Sequence, residues 1–130
     1  MVVSWRALSE HQFFHGTDRH FPVGEVISPA GESGGVNYPN TTDRRYAYAT
    51  DSESNAWHYA ETTWMGGDGQ NGPPTVYEVA PLGRHSKDPA SDKSGFSRGT
   101  FQGDRRSKSG WKILRQLPMP EHMGDPEDWR

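Results

Sequence analysis

The stretch FFHGT, residues 13–17, sets His15 between a bulky apolar pair and the one residue without a side chain. An imidazole there would stop at the mouth of a strand, and the bare backbone of Gly16 would let a flat ligand come close. A plainer reading is a strand end, with Phe13 or Phe14 in a core and Gly16 opening a turn. Two further residues belong beside His15 in any crevice the fold builds: Tyr48 at the end of RYAYAT and Asp88 in GRHSKDPAS. Ends of neighbouring strands are where one cleft would collect an imidazole, an aromatic ring and a carboxylate. Each has its plain alternative: a half-buried strand histidine, a core tyrosine, a turn-forming aspartate before Pro89. By periodicity alone the three plain readings together are favoured.

Two other patterns fail on context. GDGQNG, Gly67 to Gly72, satisfies G-x-G-x-x-G, but a helical pattern precedes it and Pro73-Pro74 follow, the reverse of a dinucleotide-binding turn. His11 and His15 stand four apart, which on a helix would suit zinc. The segment reads as a strand, where four residues span roughly 13 Å, too far for one ion. No metal site is expected.

The elements that must position these residues are short. Fifteen Gly and ten Pro among 130 residues, with 31% apolar residues, make a loop-rich chain, while five Trp, five Tyr and five Phe supply large buried areas and argue against disorder. The length fits one domain, expected over residues 1–117, with 118–130 a flexible tail. Strands are expected at 12–15, 23–27, along RYAYAT and TVYEVAP, and at GWKILRQL. In RYAYAT the alternation sets Tyr46 and Tyr48 on one face and Ala47 and Ala49 on the other. One main helix is expected in DSESNAWHYAETTWM, capped by Asp51 or Ser52, with Ala56, Trp57, Ala60 and Trp64 on its inner face. Leu82 to Gly110 is polar and rich in Gly and Ser, unlike any packed element. The class is α+β and strand-dominated.

A net charge of -3 gives no general attraction to nucleic acid, and the absence of cysteine excludes a disulfide framework and a thiolate nucleophile. MVVSWRALSEHQ, broken by Arg6, Glu10 and His11, is expected to be neither a signal peptide nor a membrane span. A cytoplasmic monomer with no membrane partner is expected.

The ordered series FFHGT, VGEVISPAGES, YAT with the tryptophan-bearing helix, VYEVAPLG, KDP, SDK and RRSKSGWKIL resembles the rifampin ADP-ribosyltransferases and, more distantly, the histidine-tyrosine-acid class of ADP-ribosyltransferases. The likeness runs from Phe13 to about Leu114. Spacing between the tyrosine strand and Trp57 is about one residue off the family pattern, which makes Tyr46 a competitor for Tyr48; Tyr-x-Thr favours Tyr48. The resemblance implies a split β-sheet clasping NAD, used as co-substrate without metal, and nicotinamide as leaving group. It implies that His15 holds a ribose hydroxyl, that the Gly16 backbone bonds the nicotinamide amide, that Thr17 supports His15, and that Tyr48 stacks on nicotinamide. Asp88 would then stabilise the cationic ribose and take the acceptor's proton. The implied acceptor is a rifamycin-type antibiotic, with Tyr38, Phe96 and Phe101 as an apolar wall. A protein or nucleic-acid acceptor, as in a toxin or phage effector, is the first alternative; a catalytically weak NAD-binding module is the second.

Overall fold

Phe13 and Phe14 serve opposite sides of one sheet, because successive side chains of a strand alternate faces. The computed structural model describes residues 12–29, 45–66, 72–87 and 104–129. Along them run β1 (Phe13–Thr17), β2 (Val26–Ile27), β3 (Ala47–Thr50), α1 (Glu53–Gly66), β4 (Thr75–Pro81), β5 (Ser86–Lys87), β6 (Asp104–Ser107) and β7 (Trp111–Gln116). Two 3-10 turns follow, Glu121–Met123 and Pro126–Trp129. The seven strands form one sheet in the order β2-β7-β4-β1-β3-β6-β5, with every pairing antiparallel. This is the expected α+β, strand-dominated architecture with one main helix.

On one face Phe13, Ile27, Ala47, Ala49, Tyr77, Val79, Trp111 and Ile113 form a core, with Phe21 against it. On the other, Phe14 and Val76 meet Ala56, Trp57 and Ala60 of α1, together with Leu117. Val76 and Ile113 are fully enclosed, and each such side chain contributes about 1.5–3 kcal/mol by leaving water. The helix starts where the sequence signals: Ser52 Oγ accepts the Asn55 N–H at 3.2 Å and the Ser52 carbonyl accepts the Ala56 N–H.

Several boundaries moved. Gly16 lies inside β1 and opens no turn, and the strand expected over 23–27 is reduced to Val26–Ile27. The polar stretch from Leu82 to Gly110, expected to hold no packed element, contributes β5 and β6. In β6 the sequence DRRS has no apolar alternation, yet Asp104 and Ser107 are buried against β3. Pairing with a neighbouring strand, rather than hydrophobic pattern, makes this a strand. The segment expected as a flexible tail has defined contacts: Met119 and Met123 pack on the α1 core, and Trp129 meets Trp64 edge to face at 4.9 Å. Trp64 Nε1 also donates to the Trp129 carbonyl at 3.0 Å.

Candidate functional site

The sheet is stitched unevenly. β1 runs in register with β4 through five residue pairs, but shares only the pair Phe14 and Thr50 with β3. Continuing that register would bring His15 opposite Ala49. Instead the His15 imidazole lies across the seam, its Nδ1 2.8 Å from the Tyr48 carbonyl oxygen. A second side chain crosses from further away, as Trp111 Nε1 of β7 donates to the Ala47 carbonyl of β3 at 2.9 Å. Two side-chain bonds to consecutive residues of β3 thus hold the halves where backbone pairing has stopped.

A carbonyl only accepts, so His15 carries its proton on Nδ1 and, when neutral, keeps a lone pair on Nε2. The residue as a whole retains some exposure, but burial of its ring lowers the pKa from the ordinary 6.5; the Tyr48 bond opposes this in part. Near neutral pH it therefore offers an acceptor to a hydroxyl. Gly16 also serves a packing need. A Cβ there would collide with the Ala56 carbonyl and lie 2.9 Å from the Ala60 nitrogen, so the missing side chain admits the helix backbone to the strand. Thr17 is buried, and its hydroxyl accepts the Arg19 N–H at 3.1 Å, two residues on.

Ala47 and Ala49 enter the core while Tyr46 and Tyr48 keep half-buried positions on the helix side of β3, the alternation expected from RYAYAT. The two tyrosines differ in surroundings. Tyr48 is joined to His15 through its carbonyl and pairs across strands with Arg106. Tyr46 has the Arg106 guanidinium over its ring at 4.1 Å from the centroid. Asp88 lies outside the described residues, as do Tyr38, Phe96 and Phe101; its predecessor Lys87 ends β5, in register with Arg105 of β6. The structure thus brings His15, Gly16, Thr17 and Tyr48 to one seam.

A family model described as rifampin ADP-ribosyl transferase matches residues 13–118, from the first residue of β1 to just past β7. The chain belongs to that family. None of the curated proteins matches it. By family it is an ADP-ribosyltransferase with rifampin as the acceptor type, and the match spans the whole seam and both flanking half-sheets. Among the described residues no helix is long and apolar enough to cross a membrane, and no three His, Asp or Glu side chains converge as metal ligands.

Two features of this family member escaped the sequence reading. Buried Asp104, in register with Thr50, has Oδ2 hydrogen-bonded to the Tyr59 hydroxyl of α1, tying helix to β6 beside the seam. Arg106 stands next to Tyr48 on the same face. Both lie in or beside the run RRSKSG, whose charges give no periodic signal; only its likeness to the family marked it. A hollow of about 500 Å³ between α1 and the C-terminal segment, lined by Glu53, Trp57, His58, Glu61, Pro120 and His122, contains none of the seam residues.

Proposed function

We propose that this chain moves ADP-ribose from NAD to a hydroxyl of a rifamycin-type macrocycle and releases nicotinamide. The observation that carries the reading is the His15 imidazole lying across the seam to the Tyr48 carbonyl: it fixes a neutral hydrogen-bond acceptor beside an aromatic residue where β1 and β3 share a single pair. Membership of the rifampin ADP-ribosyl transferase family supports the acceptor class.

In the proposed reaction the bond between the nicotinamide nitrogen and the ribose C1 breaks, and its electron pair leaves with nicotinamide. Positive charge develops on the ribose, the acceptor hydroxyl bonds to C1, and its proton departs. His15 Nε2 accepts a ribose hydroxyl and so orients the donor. Tyr48 stacks on the nicotinamide ring, whose amide the Gly16 backbone meets within β1. Thr17, through the turn to Arg19, keeps the end of β1 in shape. Asp88 supplies the negative charge that is worth most as the cation forms, and takes the acceptor's proton.

The test is incubation with NAD and rifampin, read by mass for one added ADP-ribose and by chromatography for free nicotinamide. NAD consumed without modified rifampin, with label appearing instead on a protein or nucleic acid, would replace the antibiotic acceptor by a macromolecular one. NAD bound without nicotinamide release would leave a binding module.

A further inference from the structure

We propose that Arg106, Lys108 and Arg45, gathered round the ring of Tyr46, form an anion site that takes the diphosphate of the donor; the inference rests on the reading of NAD as that donor. The Arg106 guanidinium lies 4.1 Å from the Tyr46 centroid, Lys108 Nζ 5.5 Å and the Arg45 guanidinium 5.8 Å. Three cations thus converge on one ring in a chain whose net charge is -3. The ring's quadrupole attracts each of them but cancels no charge, so Arg106 and Lys108 repel one another unless an anion joins them. Arg106 carries a further cost. Its Nε is buried and has no hydrogen-bond partner among the described residues.

Position ties this cluster to the seam. Arg106 is the cross-strand partner of Tyr48, and directly opposed residues on one face have their Cβ atoms roughly 5 Å apart. Tyr46 precedes Tyr48 by two residues on that face, about 7 Å along the strand. In NAD the diphosphate stands one ribose away from the nicotinamide. A donor with its nicotinamide on Tyr48 therefore reaches the cluster with its phosphates. The guanidinium, seated over the ring, carries a fork suited to two phosphate oxygens, while Lys108 and Arg45, both exposed, add charge from the rim. Asp104, two residues from Arg106 on the same face, has its Oδ2 on the Tyr59 hydroxyl.

Calorimetry with ADP and with adenosine as probes tests the site directly, because the two differ only in the diphosphate. Wild type binds ADP more tightly than adenosine, with an advantage that shrinks as salt rises. Arg106→Gln lowers ADP affinity about tenfold or more, the loss of one or two charge-assisted bonds, and leaves adenosine unchanged. Its KM for NAD rises by a similar factor while kcat stays within about twofold, since a diphosphate contact is made equally in ground and transition states. Lys108→Gln, at an exposed position that folding tolerates, changes ADP binding in the same direction and covers the case in which Arg106→Gln does not fold. Lys112→Gln, on β7 away from the ring, changes nothing.

Folded variants at 106 and 108 that bind ADP like wild type overturn the anion site, whether or not transfer occurs. Variants that keep ADP but lose a single-stranded oligonucleotide overturn it as well, in favour of a nucleic-acid surface. A wild type that binds ADP through Arg106 yet transfers nothing from NAD keeps the anion site and removes only the donor reading.

Discussion

Trp111 Nε1 lies 2.9 Å from the carbonyl oxygen of Ala47, a buried hydrogen bond that reaches from β7 to β3, past β4 and β1. The indole is fully enclosed and also packs on Phe13 and His85 at 5.3 and 5.5 Å between centroids. Trp111→Phe removes the donor and part of the ring, so it is expected to lower stability by about 2–4 kcal/mol. Urea unfolding with an unchanged m-value and a lower midpoint checks this; an unchanged midpoint would mean the bond contributes nothing to holding β3.

His15 makes stability depend on pH in a stated direction. Its folded pKa lies below the unfolded 6.5, so at pH between the two the unfolded chain binds more protons than the folded one. The contribution is complete above 6.5 and is lost as pH falls toward the folded value, with a slope of at most about 1.4 kcal/mol per pH unit. Subtracting the stability curve of His15→Gln from that of wild type should leave this slope. NAD affinity should hold over that interval and fall only at lower pH, as pH drops through the folded pKa, because a protonated Nε2 has no lone pair to offer. A flat difference curve would mean that His15 titrates alike in both states.

Gly16→Ala tests the contact with α1. Backbone atoms of Ala56 and Ala60 occupy the space a methyl group needs, and backbone cannot swing aside as a flexible side chain does. A loss of about 1–3 kcal/mol is expected. An equally stable Gly16→Ala protein would show that α1 can withdraw from β1 at little cost.

Replacing Tyr48 by Ala should weaken NAD binding more than the same change at Tyr46, whose ring already bears Arg106. Fluorescence or calorimetric titration decides the ranking. The reverse order would assign the stacking role to Tyr46.

Asp88→Ala should reduce turnover about a hundredfold or more with little change in NAD affinity, because the carboxylate acts as charge develops. A near-normal kcat in the folded variant would make Asp88 an ordinary turn residue before Pro89.

The sequence was most informative where burial follows a period. Tyr46 to Thr50, the inner face of α1 and the strand TVYEVAP could be read from spacing, because alternation and helical repeat are direct images of which side faces a core. β6 could not: Asp104, Arg105, Arg106 and Ser107 are drawn into the sheet by backbone pairing with β3 and by partners such as Tyr59, which lie far away in sequence. For the same reason His15 was legible as a candidate, while its attachment to the Tyr48 carbonyl was not. Gly16 was noticed for its missing side chain, but that the space belongs to Ala56 needed the docking of α1.

The sparse join between β1 and β3 also bears on how the molecule opens. Cooperative units in proteins divide where few contacts cross, and here the hydrogen bonds of one backbone pair and two side chains, with the core shared by Phe13, Ala47 and Ala49, join four strands on one side to three on the other. Amide protons of β3 and β6 should then exchange with solvent through a smaller, more frequent opening than those of β1, β4 and β7. A dinucleotide lodged across the join would couple the two exchange regimes into one, so the substrate itself would act as the missing stretch of sheet.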